Sequence, residues 1–296
     1  MLQEAVDDYI AVLSAKQYAD GGNNRNTIMA YRNDLSQLCN YLTLQDVENW
    51  QKVNRDHIAA YLQEMREGLA YRPTTIARKL AALKSFFRYM LNVRKEISAN
   101  PIEKLESPRI QKDLPQVLNA EQVNRLFSCV HTITPGGLRD LAMLHMLYAT
   151  GMRASELVSL NLEDFDVEHA RVLCPGRSGQ TKRERLLPLP VVAVEAAQHY
   201  LEEARPRLLR RDSERSLFLN HHGERLTRQG FWLIIKGYAR QAGIVDITPH
   251  MLRHSFAILM LQGGMELRSV QELLGHAHIS TTQVYSLLVC AKQPDK

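Results

Sequence analysis

Cysteine is scarce in this chain: Cys39, Cys129, Cys174 and Cys290 are all it has, and they stand far apart with no CxxC pair among them. That spacing excludes a disulfide frame and a zinc knuckle, and the four are read as reduced thiols. No apolar run reaches the roughly 18 residues of a membrane span. The opening residues, Met1-Leu2-Gln3-Glu4-Ala5-Val6-Asp7-Asp8, lack both the basic start and the apolar stretch of a signal peptide. There is no internal repeat and no low-complexity tract. These absences point to a cytoplasmic globular protein without membrane association.

What is present begins with size and charge. The 296 residues suit two domains, each large enough to bury its own core. Lys and Arg outnumber Asp and Glu by 37 to 32, a formal charge of +5 with a pI of about 9.0, and this excess favours a polyanionic partner. Helical periodicity breaks at Ser107-Pro108-Arg109-Ile110-Gln111-Lys112-Asp113-Leu114-Pro115, where two prolines and scattered charge mark a linker. The break predicts a first domain over 1–107, a linker over 108–117 and a second domain over 118–296. The first reads as four helices, 2–18, 26–43, 55–67 and 74–93, parted by Gly21-Gly22-Asn23-Asn24 and by Tyr71-Arg72-Pro73. The second reads as mostly helical with a small antiparallel sheet, because Arg171-Val172-Leu173 and Arg185-Leu186-Leu187-Pro188-Leu189 flank a Gly/Ser-rich turn. The expected fold class is mainly α with a small antiparallel β-sheet.

Helix 74–92 has two distinct faces. Ile76, Leu80, Leu83, Phe87, Met90 and Leu91 recur at three and four residues as a core stripe, and Arg78, Ala81, Ala82, Ser85 and Arg88 fall opposite. From Arg72 to Lys95 there are seven Lys or Arg and no Asp or Glu, so the face lacks the acids of an ordinary salt-bridged surface. Its small side chains would let the backbone approach a DNA groove; the alternative is a solvated helix surface. Helix 26–43 turns Ile28, Tyr31, Leu35, Leu38 and Leu42 inward and leaves Arg25 and Arg32 as phosphate candidates.

The second domain carries four local patterns: Thr150-Gly151-Met152-Arg153-Ala154-Ser155-Glu156-Leu157, Thr248-Pro249-His250-Met251-Leu252-Arg253-His254, Leu273-Leu274-Gly275-His276, and Ser280-Thr281-Thr282-Gln283-Val284-Tyr285. Thr248 is an N-cap and Pro249 a first helical residue, which places His250 and Arg253 on one face of a helix's first turn. Gly275 is a helix C-cap, and Ser280 is expected to cap the short helix bearing Tyr285. Ionising a phenol of pKa near 10 at pH 7 costs about 4 kcal/mol, so a tyrosine nucleophile needs cations or a base beside it. Paired guanidinium donors suit the charge that develops on an attacked phosphodiester. Imidazoles titrating near neutrality can donate to the same phosphate or accept the phenolic proton. Arg153, Arg253, His250, His276 and Tyr285 make such a set.

The four patterns together resemble the tyrosine recombinases, also called the lambda-integrase family, and among them the Xer-type members most closely. The resemblance covers nearly the whole chain. It implies a four-helix SAM-like DNA-clamp domain followed by a catalytic domain, with helix 74–92 and its Arg78, Ser85 and Arg88 at the DNA. Tyr285 would form a 3′-phosphotyrosyl bond and free a 5′ hydroxyl, and a partner strand would reverse the step. The ester keeps the bond energy, so no cofactor, ATP or metal is implied. Four protomers on two double-stranded DNA sites would pass through a Holliday junction, as homo- or hetero-tetramers with or without an activating partner protein. Glu156 becomes a supporting carboxylate beside Arg153, or else a helix N-terminal residue, and His254 a packing neighbour of the site.

The chain departs from the family in two places. A catalytic lysine commonly lies in a Gly-Lys-Gly hairpin followed by Lys-Glu-Arg, whereas here Gly176-Arg177-Ser178-Gly179-Gln180-Thr181-Lys182-Arg183-Glu184-Arg185 is longer and its lysine displaced. Lys182 is the expected acid because arginine holds its proton too tightly; Arg177 is the other candidate for the position and contacts phosphate otherwise. The tail after Tyr285 is also short, Ser286 to Lys296. Within the family, chromosome or plasmid dimer resolution, integration of a mobile element and type IB topoisomerase activity remain open. Outside it stands a metal-dependent hydrolase built on His250, His254, His276 and His278.

Overall fold

The computed structural model describes residues 2–19, 25–103, 105, 114–176 and 184–291. The chain divides into two compact units between Lys112 and Asp113. Most of the expected linker falls outside the described residues; Leu118 already belongs to the second unit, where its N–H donates to Ser255 Oγ at 2.8 Å. No helix among the described residues is long and apolar enough to cross a membrane.

The first unit is built from α1 (Leu2–Ala19), α2 (Arg25–Leu44), α3 (Arg55–Gln63) and α4 (Pro73–Asn92). Asn54 caps α3 by accepting from the His57 N–H, and α3 runs on through a π-type turn over Glu64–Gly68. Pro73 opens α4, where its missing N–H and fixed φ cost nothing. Leu35, Leu38, Leu42, Ile58, Met65, Leu80 and Leu83 close around Trp50, Phe86 and Phe87. The indole N–H of Trp50 donates to the Leu2 carbonyl at 3.1 Å.

Two expectations for α4 need correction. Ala82, assigned to the open face, is fully buried together with Phe86, because α4 packs against α1 as well as α2 and so needs a broader apolar stripe than one partner would demand. Ser85 is half-buried and its Oγ accepts the Tyr9 hydroxyl at 2.7 Å. Three cations of this segment, Arg78, Lys79 and Arg94, also have acidic partners outside it. Asp34 of α2 is fully buried and pairs with Lys79 at 3.0 Å and with Arg78, while Arg94 pairs with Asp8 and Glu96. Arg32 pairs with Asp7 at 2.7 Å. A window of local sequence cannot see an acid forty residues away.

The second unit comprises α5 (Ala120–Ser128), α6 (Pro135–Thr150), α7 (Ala154–Ser159), β1 (Phe165–Asp166), β2 (Arg171–Cys174), β3 (Arg185–Pro188), α8 (Val191–His199), α9 (Arg205–Leu208), α10 (Arg228–Gln241), α11 (Pro249–Gln262), α12 (Leu267–Leu274) and α13 (Ile279–Ala291). The sheet runs β1-β2-β3, antiparallel throughout, with Val172 opposite both Phe165 and Leu187. β1 was not foreseen; two residues are too short for an alternation to register. α6 is the buried axis, carrying Met143, Leu144, Met146 and Leu147 against α8 and α11.

Two helices end in left-handed glycine caps, α6 at Gly151 (φ 61°) and α12 at Gly275 (φ 64°). A Cβ on Gly151 would run into the Phe256 ring and Leu274. Gly151→Ala therefore combines a left-handed penalty of about 1–2 kcal/mol with overpacking of about 1–3 kcal/mol. Urea unfolding of the full chain should show a loss of about 2–5 kcal/mol; an unchanged midpoint would contradict the cap geometry.

Candidate active site

Arg253 stands at the centre of the second unit. Thr248 caps α11 by accepting from the Met251 N–H at 3.3 Å, and Pro249 follows, so that His250 and Arg253 leave the helix near its start. Arg253 is 3% exposed. Its Nη1 donates to the Gly151 carbonyl and its Nη2 to the Leu274 carbonyl, each at 2.6 Å. Both acceptors lie at helix C-termini, where carbonyls lack intrahelical partners and carry partial negative charge. Burial and the nearby Arg153 push this guanidinium down to about 10, which leaves it cationic at neutral pH.

Arg153 follows the Gly151 cap and is itself the N-cap of α7. Its N–H donates to Glu156 Oε2 at 2.7 Å and its Nη1 to Glu156 Oε1 at 2.8 Å. Glu156 is thus both a helix N-terminal acceptor and a carboxylate under the guanidinium, and the two readings are one geometry. Burial alone would raise the Glu156 carboxyl, but Arg185 and Arg153 outweigh it and hold the group below its ordinary range.

Arg185 was not singled out as a site residue. It opens β3 and reaches Glu156 Oε2 at 2.8 Å, the Leu273 carbonyl at 3.0 Å and Cys174 Sγ at 2.9 Å. An arginine at the start of a short strand reads as a solvated edge, so nothing local reveals these contacts. A Cβ on Gly275 would collide with its guanidinium, which ties the second glycine cap to the same residue. Arg153, Glu156, Arg185, Gly275, His276 and Arg268 line a cleft of about 940 Å³.

His276 follows the Gly275 cap, and its Nδ1 lies 2.9 Å from Oγ1 of the fully buried Thr282. Burial and then Arg253 lower this imidazole to about 4. His250 is the exposed histidine of the group; desolvation of its packed side, then Arg253, Arg228 and Arg153, hold it below its ordinary value. Tyr285 is 2% exposed. Burial raises its phenol, while Arg253 and Arg153 pull the other way. The Tyr285 ring lies 6.3 Å from that of His276, centroid to centroid, and 5.5 Å from that of His254.

The hydrogen-bond partner of the phenol is His254, whose Nδ1 is 2.7 Å from Tyr285 Oη. His254 had been expected to pack only. Ser280 is also corrected: α13 begins at Ile279, which puts Ser280 inside the first turn. The hydrolase alternative requires its histidines to converge, yet among the described residues no three His, Cys, Asp or Glu side chains are grouped so as to hold a metal ion.

Arg153, Arg253, His276 and Tyr285 are brought together, with His250 next to His254 at 6.3 Å between ring centroids. Lys182 and Arg177 lie outside the described residues; Pro175, Gly176 and Glu184, on either side of them, line the cleft. Arg25 begins α2 and its side chain is outside the described set. Arg32, Arg78, Ser85 and Arg88 all belong to the first unit.

Residues 116–288 match the phage integrase family, and residues 6–94 match the phage integrase N-terminal SAM-like domain. A tyrosine recombinase XerC from Herpetosiphon aurantiacus is 46% identical over 286 residues, covering 96% of this chain and 90% of the relative. A tyrosine recombinase XerD from Listeria innocua is 43% identical over 290 residues, covering 96% and 94%. Among solved structures, a XerH site-specific recombinase bound to difH substrate in a pre-cleavage complex aligns with a TM-score of 0.71 at 25% identity, over 91% of this chain and 76% of that one. A lambda integrase (75-356) dimer on a COC' core site aligns at 0.75 and 16% identity, over 100% and 98%, a likeness of fold.

The depressed imidazoles set a pH response. His254 and His276, held near 4, take up protons on unfolding, where a histidine titrates near about 6.5. The stability they contribute is whole above about pH 6.5 and lost as pH falls toward 4. Ring resonances of both should show no NMR titration midpoint above pH 5, and the urea midpoint should be lower at pH 5 than at pH 7.5; midpoints between 6 and 7 would refute the buried, neutral assignment.

Proposed function

The chain belongs to the phage integrase family of tyrosine recombinases, and from that membership we propose that it cuts and rejoins double-stranded DNA at a specific site with Tyr285 as nucleophile. The observation that carries this reading is the buried Tyr285 ring 6.3 Å from that of His276, the residue two past the Leu274 carbonyl that Arg253 holds. Guanidinium groups fixed before the reaction stabilise charge developing on the non-bridging oxygens without reorganising. Tyr285 Oη bonds to phosphorus as its proton passes to a site imidazole and the bond to the 5′ oxygen breaks, leaving a 3′-phosphotyrosyl ester. His276, with Nδ1 occupied by Thr282, keeps Nε2 for the phosphate, and His250 supplies a second imidazole from the exposed side. Lys182 is the proposed proton donor to the 5′ oxygen. A 5′ hydroxyl from the partner strand reverses the step, and the ester conserves the bond energy.

Residues 1–107 serve as the DNA clamp in this reading, 108–117 as linker and 118–296 as catalytic domain. Arg78 and Arg88 of α4, with Arg25 and Arg32, are proposed phosphate contacts. The assembly is a tetramer on two DNA sites acting through a Holliday junction in the cytoplasm. Similarity to the XerC and XerD proteins supports resolution of chromosome or plasmid dimers.

Tyr285→Phe should retain DNA binding in gel shifts and form no covalent adduct on denaturing gels. An adduct surviving that change would end the nucleophile assignment. Arg153→Ala should slow adduct formation by about 10²-fold, as removal of an oxyanion donor does. Wild-type adducts should form equally in EDTA, and mapping them on host DNA returns the site and its symmetry.

A further inference from the structure

We infer that His254 is a positioning residue for the recombination reaction, holding the Tyr285 hydroxyl beside Arg153 and Arg253 by accepting the phenolic hydrogen at Nδ1. The inference rests on Tyr285 being the nucleophile. A hydroxyl on a residue 2% exposed must find a partner inside the protein or lose the free energy of its hydration. That partner is His254 Nδ1 at 2.7 Å, with the two rings 5.5 Å apart and inclined at 48°. The neighbouring imidazoles are placed otherwise: Nδ1 of His276 lies against Thr282, and the His250 ring is 6.3 Å from that of His254.

His254 is also held firmly. It lies between Arg253, tied to the carbonyls of Gly151 and Leu274, and Ser255, whose Oγ accepts from the Leu118 N–H and donates to the Met251 carbonyl. The ring therefore projects from a stretch of α11 anchored on both sides. A neutral imidazole that accepts at Nδ1 carries its proton on Nε2. With the phenolic O–H directed at His254, the lone pairs of Oη point away from it and are free to meet phosphorus. The helix bearing the nucleophile is fixed separately, through Thr282 and His276. The phenol is thus located from two elements, α11 for the direction of its O–H and α13 for its origin.

The test uses the full-length protein and a nicked duplex carrying the cleavage site mapped through wild-type adducts. His254→Leu removes the acceptor, and His254→Asn places a carbonyl oxygen where Nδ1 stood without a titratable group. Single-turnover adduct formation should fall about tenfold or more in His254→Leu, since small displacements of reacting groups cost that much. Kd for the duplex should stay within about twofold, because DNA binding does not depend on this hydrogen bond. His254→Asn should recover the rate to within about threefold of wild type. A His254→Leu protein that cleaves like wild type, or a His254→Asn protein as slow as His254→Leu, overturns the inference and leaves the nucleophile reading standing. Adducts formed by Tyr285→Phe would overturn the nucleophile reading itself. A second measurement avoids His254 variants: nitrogen-15 NMR should place the His254 proton on Nε2, with an Nδ1 resonance that moves in Tyr285→Phe. An unmoved Nδ1 resonance would also overturn the inference.

Discussion

The buried guanidinium of Arg253 holds the catalytic unit together. Two helices, α6 and α12, end at glycines in the left-handed region, and each leaves carbonyls without intrahelical partners. Arg253 spans the gap by donating to Gly151 at one end and Leu274 at the other. The residue after the first cap but one is Arg153, and the residue after the second cap is His276. One side chain therefore fixes the spacing between the two segments that carry Arg153 and His276, the groups proposed to face the phosphate. Removing it would leave two buried carbonyls unpaired, each a loss of about 1–3 kcal/mol, so Arg253 is structural as well as electrostatic.

The legibility of this centre in sequence follows from how local each cause is. Thr248-Pro249 and Gly275 announce helix ends by rules that act within a single turn, and the order of Arg153, His250, Arg253, His276 and Tyr285 carries the family pattern. Arg185 was opaque because its partners, Glu156, Cys174 and Leu273, come from three separate elements. His254 was opaque for a related reason: beside Arg253 on a helix it looks like packing, and only the approach of α13 gives it a hydroxyl to hold. On α4 a local reading missed one pairing, since the acid shared by Lys79 and Arg78 is Asp34 on another helix. Patterns within a turn were readable; pairings across elements were not.

The charges in the catalytic unit do not balance in the free protein. Arg153, Arg185 and Arg253 bring three positive charges, and Glu156 returns one negative charge to them. The histidines add nothing, because burial and the guanidinium groups keep His254 and His276 neutral at physiological pH. These four side chains therefore carry a surplus of two positive charges, and the rest of the described cleft wall adds Arg268 against Glu184 and Glu272. Like charges at such range repel, and the unit tolerates this because the backbone carbonyls at the two helix ends absorb part of the cost.

That surplus explains why a phenol with a raised pKa can still serve. On the proposed reading a phosphodiester in the cleft brings one negative charge, which offsets half of the surplus of the Arg153, Glu156, Arg185 and Arg253 cluster. In the proposed reaction a second negative charge develops on the phosphoryl oxygens as Tyr285 Oη gives up its proton and closes on phosphorus, and the fixed guanidinium groups are there to meet it. The match is better for the transition state than for bound substrate, which is the condition under which electrostatics raises a rate and does not merely tighten binding. Burial of Tyr285 raises the energy of its phenolate in the free protein, so the proposed nucleophile is held protonated there. Selectivity for a phosphodiester over water-borne anions then comes from geometry: the hydroxyl, both guanidiniums and the His276 ring must meet around one phosphorus atom.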